Sequence, residues 1–173
     1  MVIEILRPNG DGSTPQLSKY PNTGTYYSKV NEATKDDDTT YLYTTSTSNQ
    51  VCIFTLPNLV HAGKIIKITI NAYCRSVYDG VAQFIYYTPS SVNPAVSKVY
   101  VVGSSYELMS WTLYTNNQTL LPWTRDEINN LEVGIGMRLI DDGDTRVTQL
   151  WVEVDIISSS DAPTFRGMFR GMR

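Results

Sequence analysis

Three kinds of side chain in this sequence could do chemistry, and each has a plainer use. Acidic residues cluster at Asp36, Asp37 and Asp38, at Asp141, Asp142 and Asp144, and around Asn9 and Asp11. Ca²⁺ takes six to eight oxygen ligands, and Asp-rich loops supply them. The EF-hand spacing is absent, so turns that use Asp for local hydrogen bonds are the plainer reading. Asp36, Asp37 and Asp38 are the candidate site for a structural Ca²⁺; no other cofactor is expected. Glu132, Glu153 and Asp155 fall on outward strand positions, and a glycosidase would need two such carboxylates at a set separation in a cleft. His61 is the single histidine, and no nucleophile motif accompanies it. The sequence therefore argues against an enzyme.

Aromatic rings are the second resource. Tyr26, Tyr41, Tyr43, Tyr73, Tyr86, Tyr87 and Trp123 could stack on sugar faces, or serve as cross-strand pairs and subunit contacts. Trp151 shares the polar side of its strand with Gln149 and Glu153, which suggests contact with another chain or with the C-terminal tail. The third resource is the C-terminal repeat Phe165-Arg166-Gly167-Met168, Phe169-Arg170-Gly171-Met172, Arg173. Phe165, Met168, Phe169 and Met172 are anchors for a groove, and Arg166, Arg170 and Arg173 suit an acidic neighbour. Three charges are too few for tight binding to nucleic acid.

These side chains are positioned by strands. Pro122 to Ile156 reads as a one-turn helix, a strand, an acidic turn and a second strand. Thr124 and Glu127 have the spacing of a capping box, and Asn129 and Asn130 end the helix. Leu131, Val133, Ile135, Met137 and Leu139 alternate with Glu132, Gly134, Gly136 and Arg138. After the turn, Val147, Gln149, Trp151, Glu153 and Asp155 alternate with Thr148, Leu150, Val152, Val154 and Ile156, and the pair reads as a hairpin. Further strands are expected at 1–6, 25–30, 39–45, 50–56, 64–75, 81–88, 96–102 and 106–114. In 64–75, Ile66, Ile68, Ile70, Ala72 and Cys74 should point inward. About ten short strands with turn signals between them predict an all-β, jelly-roll-like sandwich with one short helix. The expected organisation is one domain over 1–157 and an extended arm over 158–173.

Composition agrees. The 173 residues are 42% hydrophobic and 18% charged, enough for a core and against disorder. A net charge of −3 gives no whole-domain reason to expect nucleic acid. Cys52 and Cys74 fall on apolar strand faces, so two buried thiols are the first reading and a cross-strand disulfide the second. Met1 to Ile5 is too short and too acidic for a signal peptide. No apolar run approaches the ~20 residues of a membrane span, so a product made in the cytoplasm is expected.

Three patches together carry a resemblance. They are Leu6-Arg7-Pro8-Asn9-Gly10-Asp11-Gly12; Val30-Asn31-Glu32-Ala33 running into Asp36-Asp37-Asp38-Thr39-Thr40-Tyr41-Leu42; and Pro122-Trp123-Thr124 with Glu127 to Ile135 and Thr148 to Asp155. Residues 3–157 resemble jelly-roll-like modules in structural proteins of tailed bacteriophages and related viruses. The resemblance implies a virion protein: a capsid decoration or stabilising protein, in symmetric copies, guessed trimeric, bound to major capsid or other virion proteins. The alternative is a carbohydrate- or receptor-binding module of a tail or fibre. On the first reading, deleting residues 162–173 lowers occupancy on particles while the thermal unfolding midpoint is unchanged; unchanged occupancy contradicts it.

Overall fold

A computed structural model describes residues 1–88, 93–97 and 99–158. Twelve strands form two six-stranded antiparallel sheets packed face to face. The first sheet contains β1 (Val2–Leu6), β3 (Ser18–Tyr20), β4 (Tyr41–Thr44), β6 (Lys64–Ser76), β10 (Glu107–Leu113) and β12 (Thr145–Ile157). Its order is β10-β6-β12-β4-β3, with β1 also on β12. The second contains β2 (Gly10–Asp11), β5 (Gln50–Thr55), β7 (Gly80–Tyr87), β8 (Ala95–Val96), β9 (Tyr100–Val102) and β11 (Glu132–Leu139). Its order is β2-β5-β11-β7-β8, with β9 also on β7. This is the all-β, jelly-roll-like sandwich the alternation predicts. Two- and three-residue strands bring the total above the roughly ten expected. The arm expected over 158–173 falls outside the described residues from 159 onward.

The long strands form because their apolar residues recur at every second position, and each sheet turns one such face inward. Ile68, Ile70, Ala72 and Cys74 of β6 and Leu150, Val152 and Val154 of β12 face Phe54 of β5, Phe84 and Tyr86 of β7, and Val133, Ile135 and Met137 of β11. Truncating a ring such as Phe84 to Ala would cost about 3–5 kcal/mol. Cys52 and Cys74 are buried as free thiols on opposite sheets. Burial pushes Cys52 up to about 11 and Cys74 higher still. Helix α1 (Arg125–Asn129) has both halves of its capping box: Glu127 N–H donates to Thr124, and Thr124 N–H to Glu127.

Four expectations are corrected. β11 and β12 are not a hairpin. β11 pairs with β5 and β7, and β12 with β6, β4 and β1, so the acidic turn carries the chain from one sheet to the other. Their apolar faces oppose each other across the core, and a period of two is the same in either arrangement. Val147 joins the core, because the register shifts between Val147 and Gln149. A second irregularity, between Asp155 and Ile156, turns Ile65 inward in place of Ile66. Residues 25–30 form a 3-10 turn, Tyr27–Lys29, not a strand. The Asp11 carboxylate accepts the N–H groups of Tyr26 and Tyr27 there and bends the chain.

β12 has one continuous neighbour, β6, and a divided opposite edge. β4 pairs with Thr145 to Val147 and β1 with Val152 to Ile156. The crossing segment from Val30 to Thr40 fills the gap between them. Leu150 N–H donates to Val30 O at 2.8 Å, and Gln149 Nε2 to Glu32 O at 2.5 Å. Arg7 Nη1 donates to the same carbonyl at 2.7 Å. Asp38 ties the end of the crossing down through Arg146 at 2.7 Å and Arg75 at 2.9 Å. Burial pushes the Asp38 carboxyl up, but bonds from Arg146 and Tyr106 and the two arginine charges outweigh it and hold it low.

One point of the crossing is frustrated. The Thr40 hydroxyl lies 2.9 Å from Glu32 Oε1 and 2.8 Å from Asp36 Oδ2, yet it has one proton to give. Glu32 Oε2 is buried without a partner. Burial raises the Glu32 pKa, and the Asp36 charge adds to the rise. The folded state thus holds the Glu32 proton more tightly than the unfolded chain does. The contribution of Glu32 to stability is greatest at low pH and falls as pH rises from the ordinary glutamate range through the folded-state value. Glu32→Gln should raise the thermal midpoint at pH 7, with the gain vanishing below the ordinary glutamate range. A lower midpoint at pH 7 contradicts this.

Candidate functional site

The two outward sheet faces differ in what their polar side chains do. On the first sheet nearly every polar group is used within the protein. Trp151 stands outward, as the alternation requires, and its indole N–H donates to Glu153 at 3.0 Å. Tyr73 packs beside it at 5.9 Å, and the Arg7 guanidinium lies 5.8 Å from the indole. Ser110 donates to Asn71 at 2.6 Å, and Asn71 to Thr69 O at 3.3 Å. Further along, Tyr20 stacks on Tyr41 at 4.9 Å, and Arg146 covers Tyr41 at 4.5 Å. This face is a closed network.

The outward face of the second sheet is the reverse. β11 runs down its middle and presents Glu132, Gly134, Gly136 and Arg138 outward. Register sets their neighbours. Glu132 lies between Thr55 and Tyr87, Gly134 between Ile53 and Ile85, Gly136 between Val51 and Gln83, and Arg138 beside Val81. A hollow of about 110 Å³ opens at the Arg138 end, lined by Asn49, Val81, Ala82, Gln83, Val99, Gly136 and Arg138. A second, of about 210 Å³, opens at the Glu132 end, lined by Thr55, Leu56, Asn129, Asn130, Leu131 and Glu132. Between them lies the apolar strip of Ile53, Gly134 and Ile85. At ~3.3 Å per residue, Glu132 to Arg138 spans about 20 Å.

Among the described residues, the side chains of Asn49, Gln83, Tyr87, Glu132 and Arg138 form no hydrogen bond or ion pair with the protein. Two amides, a phenol, a carboxylate and a guanidinium thus line one face with their donors and acceptors unused. The glycines make the hollow. A Cβ at Gly136 would sit 2.9 Å from Asn49 Nδ2, so any side chain there fills the space the amide now occupies.

No protein-family model matches the chain. No curated protein matches it either. Solved structures do. One is the CBM22-1 and GH10 modules of xylanase 10B from Clostridium thermocellum, complexed with xylohexaose, at 11% identity and a TM-score of 0.47. That match covers 70% of this chain and 23% of the xylanase chain. Another is the C-terminal CBM6 of the laminarinase LamC from Zobellia galactanivorans, at 10% identity and a TM-score of 0.46, covering 88% of this chain and 98% of that one. A third is the enzymatically active domain of tailspike protein 4 of bacteriophage CBA120, at 11% identity and a TM-score of 0.44, covering 87% of this chain and 19% of that one.

The candidates drawn from sequence scatter. Asp36 faces Thr40 and Thr148, Asp37 pairs with Lys35 at 2.5 Å, and Asp38 is held by two arginines. The three carboxylates turn to separate protein partners, and the described residues hold no group of three or more acidic, His or Cys side chains placed to ligate a metal. Glu132 is on the opposite outer face from Glu153 and Asp155. His61 Nδ1 lies 3.0 Å from Glu4. Tyr86 and Trp123 are core residues, 0% and 4% exposed, so they are not available for stacking. Tyr86 meets Asn116 and Asn117, and Trp123 donates to Leu113 O. Tyr87, by contrast, points outward onto the open face. The residues from Phe165 to Arg173 lie outside the described residues.

Sequence reasoning missed Asn49, Gln83 and Arg138 as site residues, although Arg138 was placed on the outward side of its strand. Their signal was indirect: two glycines at alternate outward positions, flanked by Glu132 and Arg138, leave room that neighbouring strands must border. Gly134 differs from Gly136, since a Cβ there would lie 2.1 Å from Cys52 O, a backbone atom that cannot swing aside. Gly134→Ala should therefore lower stability by about 1–3 kcal/mol as overpacking does, while Gly136→Ala displaces only a flexible amide. Equal urea midpoints for the two variants would contradict this close approach.

Proposed function

We propose that this domain is a non-catalytic glycan-binding module whose site is the outward face of the second sheet. The carrying observation is the unused hydrogen-bonding set on one sheet face: Asn49, Gln83 and Arg138 line one hollow, Glu132 lines the other, and Tyr87 stands beside Glu132 in register. Polyhydroxylated ligands call for planar amides and charged groups that accept and donate in pairs, beside an aromatic ring and apolar surface. Here Tyr87, Val81 and Val99 supply the latter. A site on strands holds its groups in place before the ligand arrives, which limits the ordering cost of binding. The domain acts by binding, without turnover.

The setting we infer is a phage virion, in line with the sequence resemblance, with the module serving a tail or fibre. A second reading, protein–protein attachment within a capsid, has its own supporting observation. Ile3, Ile5 and Leu108 are each more than half exposed on the first sheet, Leu108 paired with Tyr73, and Ile5 and Ile3 with Glu153 and Asp155 of the strand that carries Trp151. Exposed apolar side chains on a face with two rings suit a subunit contact.

A glycan array followed by calorimetry separates the two. Binding to at least one polysaccharide is expected. Asn49→Ala and Gln83→Ala should each weaken it about five- to tenfold, the worth of about 1 kcal/mol per hydrogen bond. Trp151→Ala should leave it within twofold. Binding that depends on Trp151 and ignores Gln83 would overturn the site; no binding to any glycan would overturn the reading.

A further inference from the structure

The open face differs chemically at its two ends, with the apolar strip between them. At one end, three nitrogen-bearing groups converge on a single hollow: the Arg138 guanidinium and the amides of Asn49 and Gln83. None donates to the protein, and an arginine fork fits a carboxylate or sulfate in two parallel hydrogen bonds. At the other end, Glu132 faces the hollow bordered by Asn130 and Thr55. Both of those neighbours are engaged, Asn130 Nδ2 donating to Asp126 O and Thr55 donating to Asn9. The Glu132 carboxylate is therefore a free acceptor, suited to sugar hydroxyls and hostile to an anion.

The surrounding charges leave Arg138 uncompensated. Asp38 and Asp144 are taken by Arg75 and Arg146 on the other sheet. Asp141 and Asp142, next along the chain, are exposed in the turn beyond β11 and pair with no cation among the described residues. Among the described residues, the cation of this groove forms no ion pair.

Resting on the glycan-binding reading, we propose that the ligand is an acidic polysaccharide. Its carboxylate or sulfate group sits on Arg138 beside Asn49 and Gln83, and its uncharged end lies toward Glu132. The two ends of opposite charge fix the direction in which the sugar chain lies. Discrimination between acidic and neutral glycans comes from leaving the guanidinium unpaired when a neutral chain binds.

The test uses the full chain in affinity electrophoresis and calorimetry against four probes: polygalacturonate, chondroitin sulfate, neutral xylan and laminarin. The wild type should bind polygalacturonate or chondroitin sulfate at least tenfold more tightly than either neutral glycan, and which of the two it prefers tells carboxylate from sulfate. Added salt should weaken the acidic interaction. Arg138→Met should lose at least tenfold toward the acidic probe and change little toward the neutral ones. Arg138→Lys, which keeps charge but not the planar fork, should fall between; it also serves if the Met variant does not fold. Equal binding of acidic and neutral probes, or binding indifferent to both Arg138 variants, overturns this proposal and leaves the glycan-binding reading standing. No binding to any of the four overturns this proposal, and no binding on the wider glycan array overturns the reading beneath it as well.

Discussion

The divided edge of β12 is the constraint on which the rest depends. A thirteen-residue strand in the middle of a sheet must have its backbone groups paired on both sides. β6 meets one side along its whole length. On the other, no single strand does so, and β4, the Val30 crossing and β1 share the work. The bulge at Thr148 sits where β4 gives way to the crossing. Arg75 and Arg146 then hold Asp38, which fixes the crossing to the sheet. The network of Arg7, Gln149, Trp151 and Tyr73 follows from this arrangement.

That closure decides where function can reside. The outer face of the first sheet uses its polar side chains to hold the crossing and its aromatic rings to pack against cations. On the second sheet the edge segment that follows β2 is held by bonds between Gly12 and Ile53 and between Gln16 and Val51, away from the groups bordering β11. β11 has complete neighbours on both sides, and the glycines at its outward positions keep the centre low. Among the described residues, the side chains of Asn49, Gln83, Tyr87, Glu132 and Arg138 around it hold no other part of the chain. One face is consumed by folding, and the other is left with its hydrogen-bonding capacity intact.

Much of the fold could be read from alternation, because burial on one sheet face imposes a period of two whatever the topology. Leu131 to Leu139 declared both its core residues and its outward Glu132, Gly134, Gly136 and Arg138. Thr124 and Glu127 declared the helix start, since a capping box is local. Pairing is not local. The same alternation serves a hairpin and a corner between sheets, so β11 and β12 looked like partners when they face each other. Bulges at Thr148 and Ile66 are set by neighbouring strands and left no mark in the pattern. Tyr86 and Tyr87 had to point opposite ways, but which was inside depended on Asn116 waiting in the core. The site was partly legible: alternation put Glu132 and Arg138 on the outward side of their strand, whereas Asn49 and Gln83 come from a turn and another strand and meet them only through register.

The asymmetry between the two faces is the central claim, and backbone amide shifts of the labelled full chain during titration with an oligosaccharide test it most directly. The account predicts perturbations clustered at Asn49, Gln83, Gly136 and Arg138, fading toward the first sheet. Perturbations clustered at Tyr73, Asn71 and Trp151, with the second sheet silent, would contradict it.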